Sequence, residues 1–480
     1  MKYLHKIKKL LKKIFKFVLP AYHYLWSILS SYYYKKPSDK LVVIGVTGTT
    51  GKTSSVYLLA KTLREAGFKA GYSSTAMFSD GNSDWLNTKK MTMPGRSFTQ
   101  HLLKKMLKNN CTYAIIETTS EGIRQFRHVG INYDLLIFTG LFPEHIESHG
   151  SFEKYKQAKQ KLFKYLKGCK IKYTDDNHRI ISKPSKLKSL ELNKVKKTII
   201  ANGDDQHALD FLKFWAQAKI AYTRKSQDEY LEILEEENKS LAKELEVISY
   251  NNILVSGEGT SFKVNNKEIN LQLLGEFNVT NVLNVVAMGE VRNISFEKIK
   301  ASLESIKGIP GRLEQIKEGQ NFLCIVDYAY EPRALQKLYD TVEILKNYPK
   351  VGTNGKIIHV LGSAGGGRDK DRRPELGRIA GQNADYVIVS NEDPYDEDPL
   401  EIIRQVAKGS VSVGKKLNYN LFEILDRREA IRKAISLAED NDIVLLTGKG
   451  SEQAICMANG KKFKWDERAV AREEIQSNLK

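Results

Sequence analysis

The sequence predicts an α/β fold in which helices cover parallel sheets. Three observations carry that expectation. From residue 41 onward, short apolar runs alternate with amphipathic stretches, the pattern of βαβ units. The first run leads straight into a glycine-rich turn and then a helical pattern. The 480 residues are 41% hydrophobic and 28% charged, enough to bury a core and too apolar for wholesale disorder.

In chain order, the first element is basic. Residues 1–40 hold ten lysines and one aspartate, so +9 of the net +19 lies there. Leu4, Ile7, Leu11, Ile14 and Val18 recur at helical spacing, and lysines fill most of the other faces. The uncharged, aromatic stretch 17–34 follows, interrupted by Pro20. Its Tyr, Ser and Pro content disfavours spanning a bilayer, and no small-residue cleavage site follows the apolar run. Two readings stay open, with the first preferred: a helix lying on an anionic membrane surface through residues 1–34, or a helix packed on the body with its lysines solvated. No nucleic acid is expected, because no RNA- or DNA-binding motif accompanies the charge.

Candidate strands are 41–46, 113–117, 135–139, 198–201, 322–327, 357–361, 386–390 and 443–447, with helices at 53–66 and 97–108 among those between them. Residues 226–248 form an acidic amphipathic helix, read as a solvated surface element. Gly and Pro in 307–312 mark a domain boundary, giving an N-terminal segment 1–39, a central domain 40–308 and a C-terminal domain 309–480. The four cysteines are scattered with no C-x-x-C pair, which excludes a disulfide scaffold or zinc ribbon and fits a reducing cytoplasm.

The strongest chemical signal is Val46-Thr-Gly-Thr-Thr-Gly-Lys-Thr53. Glycines let backbone N–H groups approach phosphate oxygens, and the helix N-terminus favours the anion. Lys52 reaches the outer phosphates, and Thr53 offers a hydroxyl to Mg²⁺. The general phosphate-loop pattern would place glycine at position 46, where Val46 stands.

This variant loop resembles the ATP loop of the Mur ligases, the family that adds amino acids to peptidoglycan precursors. Glu117-Thr-Thr-Ser-Glu-Gly122, Phe138-Thr-Gly-Leu141, Glu144-His145, His149-Gly150 and Tyr155-Lys-Gln-Ala-Lys159 follow in the family's order. So do Leu274-Gly-Glu-Phe-Asn-Val-Thr-Asn281, Pro310-Gly-Arg312, Val326-Asp-Tyr-Ala329, Arg368-Asp369 and Gly448-Lys-Gly450. The Asp-Tyr-Ala and Gly-Arg-Asp elements look most like the members that add the third residue.

The resemblance implies a phosphate-loop central domain with a mostly parallel sheet, then a Rossmann-like C-terminal ligase domain. It implies ATP and Mg²⁺, and an ADP-forming reaction through an acyl-phosphate that joins an amino acid to a muramoyl-peptide precursor, UDP-linked or not. Thr47, Gly48, Thr49, Thr50, Gly51, Lys52 and Thr53 would hold ATP, with Asn281 at adenine, Asp327 at the ribose and Arg312 at the γ-phosphate. Thr53, Glu117, His145 and Lys159 would serve Mg²⁺, with Lys159 carbamylated by CO₂ so that it presents oxygen to a hard metal. Lys52, Lys159, Glu117, His145 and Arg312 are the catalytic set. The rival reading of Glu117, the less favoured, is a solvated strand-end carboxylate, and that of Lys159 is one lysine among Lys154, Lys156 and Lys161. Thr92, Pro94, Thr119, Ser120 and Arg127 are candidate muramoyl-peptide contacts. Arg368, Glu392, Asp393, Pro394, Tyr395, Gly448 and Glu452 complete the substrate set.

Several positions depart from the family. Glu121, Tyr330 and Ser451 stand where it carries histidines, and Gly140 stands for an asparagine. In the stretch corresponding to the family's Asp-Asn-Pro-Arg specificity motif, Tyr395 replaces the arginine that would fork onto the distal carboxylate of diaminopimelate. The acidic run 392–398 either favours a cationic side chain such as lysine or is a solvated loop. Forty residues of basic amphipathic sequence cannot build the uridine-gripping domain with which tripeptide-forming members begin. Uridine is then held differently, or the acceptor is a precursor already at the membrane. Two alternatives remain: an amide ligase with another acceptor, and a nucleotide-binding membrane scaffold that has lost catalysis.

Overall fold

The computed structural model describes residues 2–143, 149–182, 184, 192–346, 355–367 and 370–479, with side chains from Val18 onward. A long helix, α1 (Lys2–Tyr33), leads into the first lobe. Its parallel strands are β1 (Val42–Thr47), β2 (Ala70–Ser73), β3 (Tyr113–Glu117), β4 (Leu135–Phe138), β5 (Thr198–Asn202), β6 (Ala218–Thr223) and β7 (Leu245–Ser256). They lie in the order β7-β6-β5-β4-β1-β3-β2, with antiparallel pairs extending both edges to eleven strands. All six residues of β1 are buried, as expected of a central strand covered on both faces. On one face pack α2 (Lys52–Glu65) and a later helix, Phe277–Val291; on the other pack α3 (Arg96–Lys108) and Phe152–Leu166.

The second lobe is a six-stranded sheet: β8 (Glu314–Ile316), β9 (Leu323–Val326), β10 (Ile357–Leu361), β11 (Tyr386–Ser390), β12 (Leu421–Ile424) and β13 (Ile443–Leu446). Its order is β8-β9-β13-β10-β11-β12, parallel except for β8. Helices cover both faces, so the mixed α/β, two-sheet architecture stands as the sequence predicted.

Beneath β1 the first lobe buries a charge cluster. Asp134 accepts from Lys172 Nζ at 2.5 Å, from Lys197 Nζ at 2.8 Å and from the Val43 amide at 2.8 Å. All three charged side chains are fully buried. Such a cluster is tolerable only while each member keeps its partners.

Two elements differ from expectation. Pro20 does not interrupt α1, which runs through it. A proline inside a helix forfeits one backbone hydrogen bond, and tertiary contacts further along hold the segment. Ser27 Oγ donates to the Phe126 carbonyl at 2.8 Å and Ser31 Oγ to the Gly130 carbonyl at 2.9 Å. The acidic helix ends at Glu244, with non-helical backbone at Asn238, and Leu245 opens β7 instead.

The docking of α1 is inverted relative to an ordinary amphipathic helix. Its serines face the protein, with Ser27, Ser30 and Ser31 buried, while Leu25, Trp26 and Leu29 are 58%, 47% and 60% exposed. Packing on the body and presenting an apolar face outward are therefore both true of this helix. No helix among the described residues is long and apolar enough to cross a membrane.

Candidate active site

The phosphate loop joins the carboxyl end of β1 to the N-terminus of α2. Gly51 has φ +78°, and a Cβ there would lie 2.6 Å from Asn281 Oδ1. Only glycine fits that close approach. Lys52 Nζ donates to the Thr49 carbonyl at 2.6 Å, folded back on its own loop. Thr49 Oγ1 accepts from the Phe142 amide at 3.2 Å and lies 3.2 Å from the Tyr155 hydroxyl. Thr139 Oγ1 donates to the Thr50 carbonyl at 2.6 Å. Thr47 is fully buried, and its hydroxyl has no partner among the described residues. Asn281 is buried with its amide donated to Asn278 Oδ1 at 3.0 Å.

Glu117 ends β3 beside this loop and is 1% exposed, so it is no solvated strand-end carboxylate. Its Oε2 accepts from Thr53 Oγ1 at 2.9 Å and from the Thr75 amide at 2.7 Å; its Oε1 accepts from Thr75 Oγ1 at 2.9 Å. A carboxylate and a hydroxyl held side by side below a phosphate loop form a hard-oxygen set that suits Mg²⁺ completed by phosphate and water. No group of three or more His, Cys, Asp or Glu placed to hold a metal ion occurs among the described residues.

Thr75 Oγ1 lies 2.7 Å from Thr92 Oγ1, which ties the Thr92–Pro94 segment to the same spot. Thr119 caps the short helix that follows, accepting from the Gly122 amide at 3.1 Å. Ser120 Oγ lies 3.1 Å from His149 Nε2. Arg127 donates to the Met93 carbonyl and, at 2.7 Å, to Gln125 Oε1. Arg96 stands near it: burial lowers the pKa of nearby His23, and both arginines lower it further. The Nε atoms of both arginines are buried without a hydrogen-bond partner among the described residues.

Lys159 is set apart from its neighbours by burial: it is 1% exposed, while Lys154 and Lys161 are exposed. Its Nζ donates to the Gly48 carbonyl at 2.7 Å, at the base of the phosphate loop. His145 and Arg368 lie outside the described residues.

In the second lobe, Arg312 lies 4.3 Å above the Tyr328 ring, and Tyr328 Oη donates to Glu452 Oε1 at 3.1 Å. Asp327 is engaged with backbone: Oδ2 accepts from the Leu313 amide and Oδ1 from the Ala329 amide, each at 2.7 Å. Burial pushes its carboxyl up, against the pull of Arg312 and those amides.

Glu392 and Asp393 are 5% and 4% exposed, so this part of the acidic run is not a solvated loop. Pro394 is buried beside them, and Tyr395 turns in the left-handed region at φ +52°. Asp396 and Asp398 instead accept from the Asn459 and Leu400 amides, local structural work. Gly448 has φ +94°, and a Cβ there would lie 2.5 Å from Glu392 Oε2. That oxygen has no hydrogen-bond partner among the described residues. Burial raises the Glu392 carboxyl. Asp393 Oδ1 accepts from Lys449 Nζ at 3.0 Å and from the Cys456 amide at 2.7 Å; Lys449 Nζ also donates to Glu452 Oε2 at 2.9 Å.

Three residues escaped the sequence reading. Thr75 bridges Glu117 to Thr92. Arg372 is 9% exposed, and its Nε and Nη2 have no partner among the described residues. Lys90 reaches across from the first lobe to Asp393 and Glu452. None carries a motif. An unpartnered buried guanidinium and a bridging hydroxyl are visible only in three dimensions.

The lobes meet beside the phosphate loop, where the Arg333 guanidinium lies 4.7 Å from the Phe142 ring. Fold and site define a class: a phosphate-loop α/β protein whose second, Rossmann-like lobe brings a buried pocket of carboxylates and cations to the interface. Residues 46–289 match the Mur ligase middle domain, and residues 311–450 match the Mur ligase, glutamate ligase domain. The chain belongs to the Mur ligase family and is an ATP-dependent acid–amino-acid ligase. A UDP-N-acetylmuramyl-tripeptide synthetase of Roseiflexus sp. (strain RS-1) is 33% identical, covering 93% of this chain and 81% of its own length. A UDP-N-acetylmuramoyl-L-alanyl-D-glutamate--2,6-diaminopimelate ligase of Bacillus velezensis is 32% identical, with coverage of 93% and 80%. A solved structure of a ligase of that same description superposes with TM-score 0.54 at 24% identity, covering 92% of this chain and 79% of the other.

Proposed function

We propose that this enzyme adds an amino acid to a muramoyl-peptide precursor in peptidoglycan synthesis, consuming ATP and releasing ADP and phosphate. The observation that carries this reading is the chain Thr53–Glu117–Thr75–Thr92, because it joins the nucleotide end of the site to the acceptor end. A carboxylate is a poor electrophile. Its oxygen attacks the γ-phosphorus, ADP departs, and the amine then attacks the acyl carbon and expels phosphate. Catalysis is therefore positioning and charge neutralisation.

Thr47–Thr53 hold the phosphates in this account, with Lys52 released from Thr49 to reach them. Thr53 and Glu117 would hold Mg²⁺, which would neutralise charge on the transferring phosphoryl group. Lys159, carbamylated, would offer oxygen ligands near the Gly48 carbonyl that its Nζ now meets, and His145 would serve a second Mg²⁺ by the family resemblance. Asn281, Asp327 and Arg312 complete the nucleotide grip. Residues 40–308 and 309–480 act as the two lobes whose approach assembles the site.

Thr92, Pro94, Thr119, Ser120 and Arg127 receive the acceptor, and the Arg96–Arg127 pair suits its anionic groups. Arg372 offers Nε and Nη2, which have no hydrogen-bond partner among the described residues, to the carboxylate of the incoming amino acid, while Glu392, Asp393 and Glu452 favour a cationic side chain such as that of lysine. The enzyme works in the cytoplasm, held at an anionic membrane face by the lysines and outward aromatic side chains of residues 1–34. ADP release in the presence of a muramoyl-dipeptide and a panel of lysine, ornithine and diaminopimelate tests the reading. Release that requires both acceptor and amino acid supports it; release indifferent to either rejects it.

A further inference from the structure

Among the described residues, Lys90 of the acceptor segment sends its side chain across to the other lobe's amino-acid pocket. Its Nζ donates to Asp393 Oδ2 at 2.9 Å and to Glu452 Oε2. The three side chains are 5%, 6% and 15% exposed. Lys449 Nζ reaches the same two carboxylates, at 3.0 Å from Asp393 Oδ1 and 2.9 Å from Glu452 Oε2. The contact is held in place. Asn87 Nδ2 donates to the Ser74 and Met91 carbonyls at 2.9 and 3.0 Å, and Lys462 Nζ donates to the Lys89 carbonyl at 3.2 Å. Lys90 has φ +55°, a backbone region that side-chain-bearing residues seldom enter unless surroundings impose it.

The charge count is informative. Two ammonium groups face two carboxylates, so this half of the pocket is neutral only while Lys90 is present. The neighbouring Glu392 Oε2 and two Arg372 nitrogens, Nε and Nη2, have no hydrogen-bond partner among the described residues. A pocket that already holds a primary ammonium on a four-carbon stem, next to a carboxylate oxygen and guanidinium nitrogens with unmet hydrogen bonds, fits a diamino acid. The Asp393 and Glu452 charges in turn hold the Lys90 ammonium well above its ordinary range.

We propose that Lys90 is a tethered stand-in for the side-chain ammonium of a cationic amino acid. It occupies the Asp393–Glu452 subsite until it is displaced, and its displacement is coupled to seating of the acceptor. The coupling is physical, because Lys90 lies two residues from Thr92 and four from Pro94 on one segment. Moving that segment onto an acceptor withdraws the ammonium. The incoming amino acid then takes its place. A ligand that competes with a tethered group binds more weakly by the fraction of time its subsite is open.

This inference rests on the amino-acid pocket assigned above, and its test does not need turnover. Calorimetry of L-lysine and L-ornithine binding to the full chain, without acceptor, compares wild type with Lys90→Met and Lys90→Arg. The Met variant is expected to bind at least tenfold more tightly, and the Arg variant to stay weak like wild type. Equal or weaker binding by a Met variant of unchanged melting temperature, or no binding by any form, overturns the proposal. If the Met variant does not fold, wild-type kinetics decide. A KM for lysine that falls at least tenfold as acceptor approaches saturation supports displacement, and one indifferent to acceptor overturns it. Absence of ADP release in every form would instead speak against the ligase reading, leaving the binding comparison intact.

Discussion

Thr53 Oγ1 donates a 2.9 Å hydrogen bond to Glu117 Oε2, joining the first turn of α2 to the end of β3 across 64 residues of sequence. Both side chains are buried, and the bond sets two oxygens where a metal on the outer phosphates would need them. Glu117→Gln keeps the shape and an acceptor oxygen but removes the charge. Losing several kcal/mol of metal-borne stabilisation corresponds to a drop of about 10²–10³-fold in kcat. Steady-state phosphate release, with nucleotide binding measured in parallel, checks this; binding is expected to survive.

Lys159→Ala removes the amine that sits on the Gly48 carbonyl. Activity is expected to fall by at least the same order and to return in part with added acetate or formate, which supply the missing oxygens. Retained activity without added carboxylate rejects the carbamate.

Two histidines predict acid sensitivity. Burial lowers His128 to about 4 and His359 to about 3, from 6.5 in the unfolded chain. Below pH 6.5 the unfolded chain takes up protons that the fold refuses. The stability these groups contribute is present above that pH and drains away as pH falls towards 4 and then 3. Melting temperature measured from pH 7 to 4 should fall, and His359→Gln should flatten the slope.

Asp134→Asn strands two buried lysines that now share its carboxylate. Removing one partner of a buried ionic cluster costs about 3–5 kcal/mol. Thermal unfolding monitored by circular dichroism measures it. A change below about 1 kcal/mol, the scale of an exposed pair, would contradict the burial argument.

Leu29→Asp and Trp26→Asp place charge on the outward face of α1 without touching Ser27 or Ser31. Co-sedimentation with vesicles containing anionic lipid should fall sharply in both, and salt should weaken wild-type binding. Partition unchanged by either substitution removes the membrane from the account.

Much of this was legible in the chain. The candidate strands at 113–117, 357–361 and 386–390 coincide with β3, β10 and β11, because buried parallel strands are continuous apolar runs with little else to mimic them. The Thr47–Thr53 loop was legible for a local reason: it needs glycines and a helix start at fixed spacing. The end of the acidic helix was not, since Leu245 serves either a helical stripe or a strand until its pairing with β6 is seen. Pro20 misled because helix-breaking is a local penalty that tertiary contacts overrode. Thr75, Lys90 and Arg372 were invisible because their meaning is purely spatial. A threonine and two basic residues become informative only when one bridges Glu117 to Thr92, one crosses between lobes, and one is buried with two nitrogens lacking hydrogen bonds among the described residues.

The central claim is that the γ-phosphoryl group passes to the acceptor carboxylate before nitrogen attacks. Acceptor labelled with ¹⁸O in that carboxylate, turned over with ATP and amino acid, tests it directly by mass analysis of the phosphate released. One labelled oxygen per phosphate is the predicted result; amide formed with unlabelled phosphate would contradict the account.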